Sequence, residues 1–418
     1  MSDDEVDHEL IALLRKSLGL GGGAANPGAA ETKVLQNSQY VFDNAIDVAL
    51  NPSKTKEAAE TIWRQMQKKE YSTSSWSEHE LHPKAKDEST VDFIFTMDLL
   101  NFSFWSAEPE EKRFAIEYRG KKWTGYWSLV AALRRALDEG IEITKPEFWV
   151  NEEECNEELI RHVFRSVTDE DMPLLKERLE CLREAGRVLC NDFDGSFTNC
   201  IYSSNRSAAA LVNLLAESFS CFRDEAVFQG RRVRFYKRAQ ILVADLWACF
   251  DGEGYGEFQD IDKITMFAET RIRKQEEIPS GSNWEIELRA TSIWCVELIR
   301  REIEKQHPEV KSVKTEKSIS NGHSSLSHSN GLSHPNGHCR ETSQTQNGNN
   351  NQMDTQAPQT GHFRRHSRHS SAASNAPPGT GVSINAILID FFLYDTMKEL
   401  EKQGRESIPH HRTRSIWY

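Results

Sequence analysis

The chain has 418 residues, a formal charge of −13 and 38% hydrophobic residues, with 10 Trp and 20 Phe among them. That is enough apolar material for a sizeable core, while the acidity argues against a general binder of duplex nucleic acid, whose affinity rests on neutralising phosphates. Eight cysteines with no Cys-x-x-Cys spacing read as buried, reduced thiols of a cytoplasmic protein, the nucleus being the other such setting, and not as zinc ligands or disulfides.

In chain order, 1–32 read as a flexible tail. Its acidic start, Met1-Ser2-Asp3-Asp4-Glu5, is no signal peptide, and a short amphipathic helix over 6–18 is uncoupled from the body by the Gly/Ala/Pro run 19–30. No apolar run reaches membrane-spanning length. Helical spacing begins at Lys33, with Val34, Val41, Phe42, Ile46, Val48 and Leu50 as its apolar positions, and a second helix follows from Lys54 to Lys69. Next come Trp76-Ser77-Glu78-His79-Glu80-Leu81-His82-Pro83 and the most aromatic stretch, from Phe93 to Trp105. Residues 114–126 alternate like one small β-hairpin around Arg119-Gly120-Lys121, and Ser128 to Glu139 is a helix closed by Gly140. Helical periodicity then dominates over 156–166, 172–190, 207–219, 233–249 and 284–305, so the fold class is mainly α.

From 307 to 382 the composition collapses to Ser, Asn, Gln, His, Gly and Thr, which cannot bury enough area to offset the entropy of ordering, and the segment reads as a disordered low-complexity insertion. Its His323, His328, His334, His338 and Cys339 are irregularly spaced and read as composition, not as a metal site. The tract from Pro308 to Val382 holds seven cations and four anions, which leaves −16 on the rest. The domain reading is therefore one discontinuous domain, 33–306 with 383–418, interrupted by 307–382.

The stretch from Ile384 to Leu400 lies beyond that tract, and as an apolar segment it must return to a core already built. At about 100° per residue, Leu388, Phe391, Phe392 and Glu399 surround Asp395 on one side, and Ile389, Leu393, Met397 and Leu400 occupy the other. A helix apolar all round reads as buried. Asp395 and Asp390 are then costly unless paired or hydrogen-bonded. Either an arginine or a backbone amide meets each acid structurally, or they form an acid site poised by desolvation. Lys237 and Arg238 open the helix that runs to Trp247, where cations oppose the helix dipole. A structural ion pair, for instance Lys237 with Asp390, and an anionic ligand group are both open readings. Phe267 alone would be core, Glu269 would face solvent by default, and His79 would be a surface histidine. The basic, aromatic end, with Arg412 and Arg414, is a candidate phosphate contact.

More specific signals are carried by ordered blocks. Asn101-Phe102-Ser103-Phe104-Trp105, Tyr118-Arg119-Gly120-Lys121, Gly125-Tyr126-Trp127-Ser128-Leu129, Gly195-Ser196-Phe197, the run from Tyr236 to Asp245, Ile264-Thr265-Met266-Phe267-Ala268, Trp294-Cys295-Val296-Glu297-Leu298 and His411-Arg412-x-Arg414 resemble, in this order, the queuosine salvage protein family, the queuosine 5′-phosphate N-glycosylase/hydrolases. The resemblance covers 33–306 and 383–418 and excludes the tail and the insertion.

It implies a single helical domain similar to helix-hairpin-helix DNA glycosylases, and hydrolysis of queuosine 5′-monophosphate to queuine and ribose 5-phosphate for reuse in tRNA. Carried over by position, the pocket is lined by His79, Phe267, residue 269, Asp390 and Asp395, with Tyr394 and Glu399 as further substrate contacts and Asp395 as nucleophile or oxocarbenium stabiliser, Asp390 assisting. Lys237, Arg238, Arg412 or Arg414 would hold the phosphate. Position 269 is Glu here where the family has Asp, and Thr270-Arg271-Ile272-Arg273 follows it in place of a Tyr-Arg-x-Pro run, so the longer arm displaces that carboxylate. No metal or organic cofactor is expected, and a monomer is. The alternatives are a glycosylase that flips a base out of a nucleic acid, and a queuosine-binding module that has lost catalysis.

Overall fold

The computed structural model describes residues 30–268, 276–308, 310, 384–405 and 411–418. The helix expected over 6–18, the His/Cys run of the tract and Glu269 lie outside the described residues. Helices α1 (Val34–Asp43), α2 (Pro52–Lys68), α3 (Ser74–Glu78) and α4 (Glu88–Leu99) precede a hairpin of β1 (Ile116–Tyr118) and β2 (Lys121–Trp123). Six helices follow: α5 (Tyr126–Asp138), α6 (Pro146–Val150), α7 (Glu157–Val163), α8 (Leu175–Asp192), α9 (Phe197–Ser203) and α10 (Ala208–Ser218). A second hairpin, β3 (Glu225–Phe228) and β4 (Arg231–Arg234), leads into α11 (Lys237–Cys249), α12 (Asn283–Gln306) and, beyond the tract, α13 (Ala386–Lys402).

The mainly helical expectation holds, with local differences that have physical causes. The first helix stops at Asp43, short of Leu50, because the amides of Ile46, Asp47 and Val48 donate to the carboxylate of buried Glu287 on α12, at 3.1, 2.7 and 3.1 Å. Ile46 is left 86% exposed, so its apolar spacing was not a core signal. A second hairpin appears where helix was expected to begin at 233. Gln229 and Gly230 both adopt positive φ, 50° and 76°, the two-residue turn that matches strand twist. Arg119 and Gly120 do the same in the first hairpin, at 52° and 71°. The run ending at Leu99 is the helix α4, capped by Asp87, whose carboxylate accepts from Thr90 N at 3.2 Å. It is buried on nearly every side, from Val91 through Leu99, so it carries no amphipathic pattern to read.

α4 lies at the centre of the larger apolar cluster and packs against α11 and α9. Two fully buried arginines satisfy the carbonyls at its C-terminal end. Arg238 donates to the carbonyls of Asp98 (3.2 Å), Leu99 (2.6 Å) and Cys221, and Arg178 to those of Leu100, Phe102 and Pro173 (3.1 Å). Cations here meet the negative end of the helix dipole as well as its unpaired carbonyls. Arg238, expected at a phosphate, is thus a scaffold residue, held among Phe102, Phe222 and backbone oxygens.

α12 packs against α1, α2 and α13. A second cluster joins Ile62, Trp63 and Met66 of α2, Ile299 and Ile303 of α12, and Ile389 and Phe392 of α13. Ile387, Leu388, Ile389 and Phe392 are all under 9% exposed. At about 1.5–3 kcal/mol for each buried apolar side chain, they suffice to seat α13 without help from the tract. Val310, inside the segment expected to be an insertion, and Ile384, just beyond it, are buried in this same cluster. Replacing 312–382 with a short Gly/Ser linker should therefore leave the melting temperature within a few degrees of the parent, by calorimetry; a loss of the cooperative transition would show that the tract is part of the fold.

Candidate functional site

The second half of α13 emerges from the core. Asn385 caps the helix, its side chain accepting from Leu388 N at 2.9 Å, and the first turn, Ala386 to Ile389, is buried. From Asp390 onward the residues are mostly half-buried, and Leu393 is 38% exposed. The sequence expectation of a fully buried helix holds only for its first turn and for Phe392. This puts Asp395 at a boundary between core and solvent. Tyr71, in the elbow after α2, donates its hydroxyl to Asp395 Oδ2 at 2.6 Å. Burial is the chief influence on Asp395 and pushes its carboxyl up from the ordinary value; Glu399 adds to the rise, while Tyr71, Lys69 and Lys402 oppose it. Lys69 is drawn to Glu399, at 2.7 Å.

Beside the site stands an aromatic corner built from the α3–α4 connection and the start of α5. His79 stacks on Trp127 with centroids 3.3 Å apart and planes 15° apart, and meets Trp123 and His82 edge-on at 5.8 Å each. Burial holds the His79 pKa down at about 4, with Lys84, Lys402 and Lys121 contributing against the pull of Glu80. The ring is neutral at physiological pH. Its Nδ1 accepts from Leu81 N at 3.2 Å, which leaves the proton on Nε2, a donor without charge. His82 stacks on Trp76 at 3.9 Å, with Nδ1 2.7 Å from the Trp76 carbonyl and Nε2 2.8 Å from the Tyr126 hydroxyl. Burial lowers its pKa to about 3. Nδ1 therefore carries the proton to the carbonyl, and Nε2 accepts from the tyrosine. Lys402, in the last turn of α13, bears electrostatically on both His79 and Asp395, which ties the corner to the helix.

The other sequence candidates fall around these two features. Phe267 is buried, its ring 6.1 Å from Phe391 of α13. Asp390 and Tyr394 are half-buried on α13, and Lys398 Nζ stands 5.7 Å from the Tyr394 ring. Glu399 is exposed, in its pair with Lys69. Lys237 and Arg412 belong to the surroundings of the C-terminal segment. Lys237 is buried, 5.4 Å from the Tyr418 ring. Arg412 lies 6.0 Å from the Trp105 ring, and its carbonyl accepts from Ile278 N at 2.7 Å. Arg289 holds that region together, bound to Asp224 at 2.9 Å and facing the rings of Phe235 and Tyr418 at 4.1 and 4.9 Å. A cleft of about 680 Å³ is lined by His82 with Lys84, Tyr118, Arg134 and Lys145; none of the residues that line it comes from α13.

Sequence reasoning missed two buried acids next to the aromatic corner. Asp98 of α4 is fully buried, with Oδ1 3.2 Å from Asn101 Nδ2, and its Oδ2 finds no hydrogen-bond partner among the described residues. Asp245 of α11 is hydrogen-bonded to the Trp76 side chain, and burial pushes its carboxyl up to about 7. Burial and Asp245 together push Asp98 well up as well. Burial and a charged Asp245 act on Asp98 in the same direction, both disfavouring its ionised form. Asp98 sits in the Met97-Asp98-Leu99 run of an all-buried helix, where nothing in the local pattern marks it.

A family model described as "Queuosine salvage protein" matches residues 81–274 and 268–418. The chain is 34% identical over 406 residues, 92% of its own length and 97% of the relative's, to the queuosine 5′-phosphate N-glycosylase/hydrolase of Nematostella vectensis. It is 42% identical to the protein of that name from Schizosaccharomyces pombe, over 66% of this chain and 87% of the relative. The Mus musculus protein of that name is also 42% identical, over 63% of this chain and 83% of the relative.

The raised Asp245 value fixes a sign for stability. A carboxyl whose folded pKa exceeds its unfolded value, near 4, binds more protons when folded, so its contribution to stability falls as pH rises from there to about 7. Asp245→Asn should therefore gain stability relative to the parent across that window, reaching about 4 kcal/mol at its upper end. Paired urea titrations from pH 4 to 8 would show it, and a pH-independent difference would contradict the assignment.

Proposed function

The chain belongs to the queuosine salvage protein family, and we infer that it hydrolyses the N-glycosidic bond of queuosine 5′-monophosphate, releasing queuine for salvage into tRNA. The observation that carries this is the match along 97% of the Nematostella protein of that activity. One water is consumed: its hydroxyl goes to C1′ to give ribose 5-phosphate, and its proton goes to the departing base.

We take Asp395 as the group that meets the sugar. Loosening the bond to the base builds positive charge on C1′ and the ring oxygen, and a carboxylate at a half-dry boundary stabilises that charge better than water does. The structure supports this reading by holding Asp395 half-buried, bonded through Oδ2 to Tyr71. Queuine is a 7-deaza base without an N7 to protonate, so its departure needs donors to its edge. The neutral His79, with a proton on Nε2, is suited to that. Phe267, beside Phe391, offers a face for stacking. Asp390, on the same helix, and Glu269 are our candidates for the partner of the cationic amine on the queuine side chain. For the 5′-phosphate, Lys237, Arg412 and Arg414 remain the candidates after Arg238 is assigned to the scaffold.

A free nucleotide as substrate, not a base within a polynucleotide, accords with the −16 carried outside the tract. A monomer, a helix-hairpin-helix-like arrangement of the helices, a domain made of 33–306 with 383–418, and a cytoplasmic setting complete the proposal. The seven described cysteines are all free thiols, which favours a reducing compartment. Among the described residues no helix is long and apolar enough to cross a membrane.

Asp395→Asn should lower queuine release from the monophosphate by at least about 100-fold with the fold intact, followed by chromatography of the free base; a rate near the parent's would sink the assignment. Raising salt from 50 to 200 mM should change the parent's kcat/KM only severalfold, whereas an enzyme gripping many phosphates would lose about a thousandfold.

A further inference from the structure

The elbow after α2 grips one stripe of α13 at successive turns. Lys69 Nζ meets Glu399 at 2.7 Å and stands 5.6 Å from the Phe392 ring. Tyr71 sets its own ring edge-on to Phe392, centroids 5.4 Å apart and planes at 86°, and donates its hydroxyl to Asp395 Oδ2 at 2.6 Å. Positions 392, 395 and 399 follow one face at i, i+3 and i+7 spacing. The phenol is thus held by packing independently of its hydrogen bond.

We propose that Tyr71 is a positioning residue for the glycosidic cleavage, one that orients the Asp395 carboxylate and keeps it anionic. The proposal rests on the reading of Asp395 as the group that meets the sugar. A carboxylate has two oxygens. Tying Oδ2 to a phenol fixes the plane of the group and leaves Oδ1 to face developing charge. A short bond from a neutral donor favours the charged form of the acceptor. The groups facing Asp395 divide into two sets. Burial and Glu399 work against its ionisation, and Tyr71, Lys69 and Lys402 work for it. Lys69 is engaged by Glu399 and Lys402 lies two turns on, so Tyr71 supplies the direct donor.

The test is the pH profile of queuine release from the monophosphate by the full chain. Tyr71→Phe keeps the ring and removes the donor. It should lower kcat by about 10- to 100-fold with KM changed by less than about threefold, and move the acid limb of kcat/KM to higher pH, because the lost bond had lowered the Asp395 pKa. Placing 3-fluorotyrosine at position 71, a stronger donor, should retain activity and move the same limb to lower pH. That arm decides the matter alone if Tyr71→Phe does not fold. Unshifted limbs in both variants, with kcat within about twofold of the parent, would overturn the proposal. Asp395→Asn measured alongside separates the two claims. If it stays active, the site reading has failed; if it is inactive while Tyr71→Phe matches the parent, only the role of Tyr71 has.

Discussion

A carboxylate on an apolar helix survives desolvation only where another element brings it a donor, and that requirement organises the region around α13. The helix is drawn into the core by Ile387, Leu388, Ile389 and Phe392. It packs against α12 and shares an apolar cluster with side chains of α2, and the elbow at the end of α2 is where Lys69 and Tyr71 arise. The same packing that buries the first turn of the helix and Phe392 therefore delivers the partners its second half needs. Were α13 to rotate by one residue, about 100°, Asp395 would part from Tyr71 and Glu399 from Lys69 together.

Neutral polar groups do the complementary work. The corner formed by Trp76, His79, His82, Trp123, Tyr126 and Trp127 is dry enough to keep both imidazoles uncharged, at about 4 and about 3. A cationic histidine beside a ribosyl cation would oppose the chemistry proposed here, whereas an uncharged Nε2–H can assist a leaving base without that penalty. The buried Asp98 and Asp245, hydrogen-bonded through Asn101 and the Trp76 side chain, make the floor of this corner costly to assemble. A polar cluster of that kind persists in a core only where its members satisfy one another or serve a purpose.

Cations divide by role in a way that charge alone does not reveal. Arg178 and Arg238 sit among backbone carbonyls at the end of α4, and Arg289 is locked to Asp224. Lys402, in contrast, is exposed at the end of α13, where its charge reaches His79 and Asp395. Arginines serve the scaffold here because a rigid fork of donors matches several carbonyls at once.

The sequence by itself determined the helical class and the family, because those rest on composition, periodicity and ordered motifs that are local in the chain. It also located α5, α8, α10 and α12 to within a few residues. It passed over α4 and the hairpin before α11, since a helix buried all round has no polar face and a Gln-Gly turn is a weak signal. Tertiary structure alone decided which acids gain partners. Tyr71 and Asp395 are 324 residues apart in the chain, and Asp98 and Asp245 meet only because α4 packs against α11. It likewise assigned Arg238 to the carbonyls of Asp98, Leu99 and Cys221, a choice between phosphate and backbone that no local pattern could make. Desolvation and hydrogen bonding depend on what surrounds a side chain in space, and that is set by the packing of segments far apart in sequence.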